Sequence, residues 1–404
     1  MSQLKNPDKI VSAAFIQPVT AGIVAGFVGF ASAFAVVLQG LNKVGASPAE
    51  AASGLLVLCV GQGALAIFLS LRHKQPISIA WSTPGAALLM GASLPAGGFR
   101  EAVGAFLFSA LLTIIAGLWR PLGRAVAAIP LPLASAMLAG VLMELCLAPV
   151  DAMARFPVLA SPIILAWAIG WCLARRYAVL IAVAVAVIIV MATTALPADS
   201  LSLLQPKLIF IKPAFNIATT LGLGIPLFIV TMASQNLPGL AVLRANGFPV
   251  KFGDMFVSTG LASVPTALFG GQALNLSAIV ASLCAGPEAG SDHAKRYLAS
   301  VTAGIVYIVI GPLAGLAAVF IAASPPLLIQ TVAGLALLSS LAAAMTTMLA
   351  HEAHRLAAII TFTTAASGIS LLGVGAPLWG LLAGLFLLGF EEWTSRRKTV
   401  KSAP

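Results

Sequence analysis

Long apolar runs separated by short charged clusters are the feature that most constrains how this chain can fold. A helix needs about 20 apolar residues to cross the hydrocarbon core of a bilayer. Backbone exposed to lipid is satisfied only in a helix or a closed barrel, although shorter broken segments are tolerated inside protein. The sequence therefore predicts an all-α polytopic membrane protein with about fourteen transmembrane segments. The predicted segments are 17–40, 51–71, 76–91, 101–119, 125–147, 157–174, 178–196, 221–243, 253–269, 272–286, 297–321, 326–349, 355–373 and 376–390.

Composition supports this class and argues against a soluble or nucleic-acid-binding protein. Hydrophobic residues make up 60% of the chain and charged residues 8%, whereas soluble domains carry about 25% charged residues. The net charge of +10 would be compatible with nucleic-acid binding. The charges lie singly or in short clusters between apolar runs, however, so we expect no nucleic-acid partner.

The distribution of basic residues predicts the orientation in the membrane, because cytoplasmic loops carry an excess of Lys and Arg. With the amino terminus in the cytoplasm, all but five of the 22 basic residues fall in cytoplasmic loops or termini. The exceptions are Lys43, Arg100, Arg155, Lys207 and Lys212. We therefore predict a multi-pass protein of the cytoplasmic (inner) membrane, surrounded by lipid, with both termini cytoplasmic and no cleaved signal peptide.

The two halves of the chain resemble each other weakly. The stretch "FASAFAVVLQGLNKVGAS" (30–47) aligns with "VTMASQNLPGLAVLRANGFP" (230–249), and "QPISIAW" (75–81) aligns with "QALNLSA" (272–278). Chance similarity among small apolar residues is the alternative explanation, but the order and spacing of the two matches agree. Since each half has seven predicted segments, the second copy would be inverted, which predicts a 7+7 inverted repeat.

The third and tenth predicted segments look broken. Each opens on an alternation of apolar with small or polar residues, "PISIAW" or "ALNLSA", which is typical of a strand. Thr83 and Pro84 then supply a hydroxyl cap followed by proline, a helix start signal, and Ser277 offers a cap at the corresponding place. We predict a short strand followed by a half-helix in each segment. The alternative is that Pro84 only kinks a continuous helix.

A half-helix that starts inside the membrane predicts an anion site. Its first N–H groups lack helical partners and carry about half a positive charge, which attracts a carboxylate. Thr231, Ser234 and Gln235 recur at helical spacing on one face of the eighth segment, and this polar face cannot look onto lipid. Ser32 and Gln39 share a face of the first segment in the same way. We expect both faces to lie beside the half-helix starts.

The candidate binding residues follow from this arrangement. Trp81 is the preferred aromatic wall because it directly precedes the first half-helix, whereas Phe30 and Phe34 fit core packing or lipid contact better. The predicted substrate-binding residues are Gln39, Trp81, Ser82, Thr83, Gly85, Gln235, Asn236, Asn275 and Ser277.

The sequence lacks recognisable catalytic, nucleotide-binding and metal-binding motifs, so we expect neither an enzyme nor a cofactor. "HEAHR" (351–355) places two histidines three residues apart, which is too few ligands for a metal. Glu144 lies within an apolar run, where an ionisable residue is a functional candidate. We predict it near the outer end of its helix, where a gate contact or a snorkelling carboxylate fits as well as proton coupling does.

Four motifs resemble the benzoate membrane transport protein family, the benzoate/proton symporters, and the resemblance runs through most of the chain. They are "WSTPGAALL" (81–89), "TMASQNLPG" (231–239), "GPEA" followed by Asp292 (286–292) and "AGLALLSS" (333–340). This family is similar to the uracil, xanthine and sulfate carriers, whose fold is a 7+7 inverted repeat.

The resemblance implies a division into two domains. The core domain would be 1–120 with 216–322, and the gate domain 121–215 with 323–404. One departure concerns proton coupling, because the related nucleobase carriers place acids in their eighth and tenth helices. This chain has Gln235, Asn236 and Asn275 there, so those coupling residues do not carry over.

The resemblance also implies a secondary active transporter that imports benzoate, or a similar aromatic carboxylate, together with a proton by alternating access around a mid-membrane site. The alternatives are a carrier for another small anion or a nucleobase and, in a different class, an anion channel. A homodimer is one option for the assembly. Either Glu144 or the substrate carboxylate itself would carry the proton, and we favour the substrate because Glu144 is predicted close to the outer surface.

Overall fold

The computed structural model describes residues 7–193, 206–371 and 374–401. Within these residues, eight helical stretches are long and apolar enough to cross a membrane. They are Phe15–Lys43, Pro48–His73, Phe99–Leu118, Leu131–Arg155, Pro157–Ala174, Ile217–Ala245, His293–Ile321 and Pro326–Met348. The predicted class of a mostly helical, multi-pass membrane protein is therefore confirmed. The count of about fourteen segments stays a prediction, because broken and short helices fall below this length.

The helices of the first half are α1 (Pro7–Ala31), α2 (Phe34–Lys43), α3 (Pro48–His73), α4 (Thr83–Met90), α5 (Phe99–Leu118), α6 (Arg120–Ala127), α7 (Leu131–Arg155), α8 (Pro157–Ala174) and α9 (Ala178–Thr193). Those of the second half are α10 (Ile217–Thr219), α11 (Ile225–Thr231), α12 (Leu237–Ala245), α13 (Phe252–Leu268), α14 (Ala278–Ala285), α15 (Tyr297–Ile310), α16 (Ala314–Ala323), α17 (Pro326–Met348), α18 (Arg355–Ala366) and α19 (Ala376–Lys401). The strands are β1 (Ile79–Trp81), β2 (Leu274–Leu276), β3 (Ser370–Leu371) and β4 (Val374–Gly375), and two π-helical turns, Thr220–Gly224 and Met232–Asn236, flank α11.

The helices pack in two sets. In the first set, α15 packs against α1 and α3, and α13 packs against α3 and α5. In the second set, α7 packs against α17 and α18, α18 against α19, and α8 against α9. Contacts between the sets include α4 with α7, α11 with α7 and α2 with α17. The short helices α2, α4 and α11 therefore lie where the two sets meet.

Strands β1 and β2 pair with each other inside the first set, although 192 residues separate the end of β1 from the start of β2. The pairing is antiparallel, with Ile79 opposite Leu276 and Trp81 opposite Leu274. Each strand is followed at once by a half-helix, α4 or α14. The predicted strand and half-helix are thus present in both broken segments, and Pro84 does not kink a continuous helix.

The two half-helices begin at serine caps. Ser277 caps α14 as predicted, because its Oγ accepts a hydrogen bond from the N–H of Val280 at 3.0 Å. The cap of α4 differs from the prediction by one residue. Ser82 Oγ accepts from the N–H of Gly85 at 3.0 Å, and Thr83 is the first helical residue rather than the cap.

Side chains from neighbouring helices satisfy the outer edges of the strand pair. The N–H of Trp81 donates to Gln62 Oε1 of α3 at 2.7 Å. On the other strand, the N–H of Leu276 donates to Asn236 Oδ1 at 2.9 Å, and Ser263 of α13 accepts from a second N–H of β2 at 2.9 Å. An open strand edge cannot persist in hydrocarbon. These three side chains therefore make a two-stranded ladder tolerable within the membrane.

Helix ends in the two halves match in conformation. The C-caps of α2 and α12 are Val44 (φ −90, ψ 14) and Asn246 (φ −92, ψ 13). Each precedes a glycine with positive φ, Gly45 at 103° and Gly247 at 81°, where L side chains are strained. The sequence alignment of 30–47 with 230–249 pairs these two glycines, so the predicted correspondence extends to backbone geometry.

A second pair of matching ends lies in the other set of helices. Pro130 (φ −57, ψ 125) precedes α7, and Pro325 (φ −55, ψ 123) precedes α17. The offset between them, from 130 to 325, equals the offset between the caps Ser82 and Ser277. The sequence alignment of the broken segments therefore differs by two residues from the alignment of their caps. A shift of two residues keeps the strand alternation in phase, because side chains return to the same face every second residue.

Several predicted segments differ in detail from the helices. The first segment, 17–40, is interrupted at residues 32–33 between α1 and α2. The thirteenth, 355–373, is helical only to Ala366, and a short β3–β4 hairpin that was not predicted follows it. The last residues of 178–196 lie outside the described residues. Hydropathy alone does not show where these helices end, because the sequence stays apolar across the helix ends.

The predicted position of Glu144 near the outer end of its helix was wrong. The apolar run suggested a helix over 125–147, but α7 has 25 residues, Leu131–Arg155, and continues through Pro149. Glu144 therefore lies in the middle of α7. The error came from ending the helix where the apolar run weakens.

The hydrogen bond between Gln62 and the edge of β1 should contribute to the stability of the protein. Gln62→Leu leaves the buried N–H of Trp81 without an acceptor, and we expect the free energy of unfolding to fall by about 1–3 kcal/mol. The measurement is unfolding of the detergent-solubilised protein by SDS titration. Thr346→Val is the control, because exposed Thr346 bonds only within its own helix and should change stability by less than about 0.5 kcal/mol. Equal unfolding free energies for Gln62→Leu and the wild type would contradict the role of Gln62.

Candidate binding site

The start of α4 offers fewer free donors than the sequence predicted. The N–H of Ser82 donates to Ala273 O at 3.0 Å, and the N–H of Gly85 donates to Ser82 Oγ. Pro84 has no N–H. Among the described residues, the N–H of Thr83 finds no acceptor, so Thr83 provides the one free backbone donor of this first turn, beside its own hydroxyl.

The start of α14 leaves two free donors. The N–H of Ser277 donates to Ser78 O at 2.9 Å, and the N–H of Val280 donates to the Ser277 side chain. The N–H groups of Ala278 and Ile279 have no acceptor within the described part of the chain. Neither residue is buried.

Electrostatics at both half-helix starts favour an anion. The first turns of α4 ("TPGA") and α14 ("AIVA") carry no charged side chain, so nothing on these turns offsets the positive ends of the two helix dipoles. Along the antiparallel strand pair, the two caps Ser82 and Ser277 are four residue positions apart. The two half-helix starts are therefore about 13 Å apart along the strand direction. The arrangement suits an anion held by backbone donors.

Residues of the second half hold the start of α4 in place. The hydroxyl of Thr231 donates to Ser82 Oγ at 2.8 Å, and Gln272 Nε2 donates to Ser82 O at 2.9 Å. A Cβ at Gly85 would come within 2.7 Å of Ser82 Oγ and 2.9 Å of Gln272 Oε1. Sequence reasoning missed Gln272, although it opens the second broken segment just as Gln75 opens the first.

The predicted polar side chains divide into different environments. Gln235 and Ser234 keep accessible surface, and the side chain of Gln235 makes no hydrogen bond to another described residue. Asn275 is fully buried, and neither its Nδ2 nor its Oδ1 has a hydrogen-bond partner within the described residues. Asn236 is also fully buried, but its oxygen accepts from the N–H of Leu276. Gln235 is therefore accessible to a ligand, Asn275 keeps unsatisfied polar atoms in the interior, and Asn236 supports the strand.

Trp81, the predicted aromatic wall, lies in a cluster with Phe30, Phe34 and a fourth aromatic residue. Phe30 stacks on Phe34 with ring centroids 5.3 Å apart, and it meets Trp81 edge-on at 6.0 Å. Trp81 in turn meets Tyr307 of α15 at 6.1 Å, a residue that no sequence pattern singled out. Trp81 is only 2% exposed, while Phe30 keeps accessible surface. Phe30 is therefore more accessible than Trp81, the predicted wall, which packs edge-on against it.

Gln39 lies in a different place from the other predicted residues. It lines a cavity of about 520 Å³ beside the carboxyl-terminal half of α4, together with Glu144 of α7 and Gln330 of α17. The cavity is bordered by helices of both packing sets. Glu144, the predicted coupling candidate, and Gln39 thus line the same cavity. Neither residue lies at the half-helix starts.

Comparison with known proteins identifies close relatives. A family model described as "Benzoate membrane transport protein" matches residues 13–390. The chain is 35% identical over 364 residues to "Inner membrane protein YdcO" of Escherichia coli (strain K12), covering 90% of this chain and 93% of that protein. It is 29% identical over 368 residues to "Benzoate membrane transport protein" of Acinetobacter baylyi, covering 90% and 92%.

Solved structures share the fold at low sequence identity. The transmembrane domain of the cyanobacterial bicarbonate transporter BicA superposes with a TM-score of 0.56 at 16% identity, covering 91% of this chain and 97% of that chain. The murine anion transporter Slc26a9 in its inward-facing state gives a TM-score of 0.60 at 12% identity, covering 96% and 73%. Since the family model spans nearly the whole chain and one relative is 35% identical over 90% of it, the chain belongs to the benzoate membrane transport protein family and is a membrane transporter, not an enzyme.

Proposed function

We propose that the protein is a secondary active transporter that imports benzoate or a similar aromatic carboxylate together with a proton. The observation that carries the proposal is the pair of half-helix starts, whose free N–H groups at Thr83, Ala278 and Ile279 suit a carboxylate. The Phe30 ring face supplies apolar surface for an aromatic body. The name of the Acinetobacter baylyi relative is consistent with this substrate class.

We further propose the finer architecture, a 7+7 inverted repeat of fourteen segments in the cytoplasmic membrane with both termini in the cytoplasm. The matching helix ends at Val44 and Asn246, and at Pro130 and Pro325, support the repeat. The separation of the helices into two packing sets supports the predicted division into core and gate domains. Movement of one set against the other would open the half-helix starts to each side in turn, as alternating access requires.

In this proposal the substrate carboxylate lies against the start of α4 or α14, and Gln235 and Asn275 add side-chain donors. Hydrogen bonds to a charged group contribute about 1.5–3 kcal/mol each. Asn236 and Ser82 act through positioning, because their oxygens hold the strand edge and the helix cap. The substrate ring packs on Phe30, with Trp81 behind it.

Proton-coupled import is tested by uptake of labelled benzoate into proteoliposomes with an imposed pH gradient. Import of benzoate with one proton is electroneutral, so a gradient of one pH unit should accumulate benzoate about tenfold. An imposed membrane potential alone should drive none, although it acts on a lone charge with about 2.3 kcal/mol per 100 mV. Accumulation that follows the potential instead, or flux that never saturates, would indicate a channel and contradict the proposal.

The carboxylate site is tested by Gly85→Ala. The added Cβ would come within 2.6 Å of Leu227 and would displace the Ser82 cap and Gln272. We expect benzoate affinity to fall by about tenfold to hundredfold, the loss of one hydrogen bond to a charged group. Gly389→Ala is the matched control, because a Cβ there meets nothing within 4 Å. Normal affinity in a correctly inserted Gly85→Ala protein would place the site elsewhere.

The ring contact is tested by Phe30→Leu, which keeps an apolar wall but removes the aromatic face. An aromatic pair is worth about 0.5–1.5 kcal/mol beyond its buried area, so benzoate should bind about 2- to 10-fold more weakly. Cyclohexanecarboxylate, which has no aromatic ring, should compete with unchanged strength. The control is Phe106→Leu, which alters the separate Phe99–Phe106 pair. An equal loss for both acids would show that Phe30 has no specific ring contact.

A further inference from the structure

The cavity that contains Glu144 is separate from the half-helix starts and has its own polar lining. Its volume is about 520 Å³, which is ample for a single-ring acid. The polar side chains that line it are Gln39, Asn42, Lys43, Glu144, Ser324 and Gln330. Met90, Leu145 and Ile329 provide apolar wall between them. Because Lys43 belongs to a predicted outer loop, the cavity lies on the predicted outer side.

Most of these polar side chains form no hydrogen bond with another described residue. Glu144 is exposed to the cavity and forms neither a hydrogen bond nor an ion pair with any described residue. Gln39 Nε2 is buried and lacks an acceptor in the same part of the chain. An ionisable residue in the middle of a membrane helix costs free energy, and such residues usually have a function. The cavity therefore presents an unpaired carboxyl group and unpaired amides to whatever enters it.

The charge around Glu144 disfavours a bare anion. Helices α2 and α4 both end at the cavity, at Lys43 and Met90, and each helix end contributes about half a negative charge. Lys43 is the only other charged residue among the described lining residues, and α4, α16 and α17 supply none. A carboxylate that approaches a charged Glu144 is repelled, whereas two carboxyl groups that share one proton attract each other.

We propose that this cavity is an entrance site in which Glu144 admits the substrate carboxylate only together with a proton. A proton from the outer solution binds Glu144, and its O–H then donates to the substrate carboxylate. The pair holds one proton and one negative charge, which Lys43 balances. The substrate takes the proton as it moves along α4, whose eight residues span about 12 Å, and Glu144 is left ionised for the next cycle.

This inference rests on the proposed function and revises one part of the sequence interpretation. The substrate carboxylate was favoured as sole proton carrier because Glu144 was predicted near the outer surface. Its position in the middle of α7, facing a cavity between the two packing sets, removes that reason. Glu144 becomes the group that loads the proton, and the half-helix starts receive the substrate afterwards.

The test compares the wild type with Glu144→Gln in proteoliposomes, over external pH 6 to 8. Where entry requires one bound proton, the apparent KM for external benzoate rises up to about tenfold per pH unit. Glutamine donates an N–H at every pH, so Glu144→Gln should show a KM that does not change with pH. It should still exchange internal for external benzoate but lose accumulation driven by a pH gradient. Glu144→Asp should restore the pH dependence.

The control is Asp151→Asn, which removes another acid from α7 at a position outside the cavity lining and should behave as wild type. A Glu144→Gln protein that keeps the wild-type pH dependence and gradient-driven accumulation overturns the proposal. Loss of exchange in both Glu144→Gln and Glu144→Asp overturns it too, since Glu144 would then be structural. If the wild type itself accumulates no benzoate under any gradient, the proposed function fails first.

Discussion

The architecture depends on one constraint, which is that no polar backbone group within the membrane can be left unpaired against lipid. A continuous helix meets this requirement on its own, but a strand does not. The chain breaks two helices and then satisfies the exposed backbone by pairing β1 with β2 and by placing Gln62, Asn236 and Ser263 along the outer edges. The half-helix starts are possible only because this small ladder is closed on both sides.

One short helix, α4, runs from the candidate binding site to the Glu144 cavity. The start of α4 presents a free N–H at Thr83 to the candidate binding site, and its end at Met90 borders the Glu144 cavity. The two ends of a helix dipole have opposite sign. An acid that enters beside Glu144 therefore meets a negative end first and a positive end afterwards. Such a gradient favours a proton-sharing species at the entrance and, at the half-helix start, a carboxyl group whose oxygen accepts hydrogen bonds.

Local signals in the sequence were sufficient for much of this arrangement. Strand alternation, the hydroxyl caps and Pro84 predicted both broken segments, and Gly45 aligned with Gly247 where the backbone needs positive φ. The supporting residues were not predictable in the same way. Gln62 and Gln272 act across 19 and 190 residues of chain, and no local periodicity encodes such a contact. Glu144 was misplaced because an apolar run does not show where a helix ends.

The pairing of β1 with β2 also affects how the protein is made. The partner of β1 is synthesised about 195 residues later, which at a translation rate of about 5–20 residues per second takes roughly 10–40 s. During that time Gln62 can protect the N–H of Trp81, but the ladder side of β1 has no strand to bond. The first half must therefore wait in the membrane with an unfinished site, sheltered by other helices or by the insertion machinery. Completion of the binding site and completion of the chain become nearly the same event.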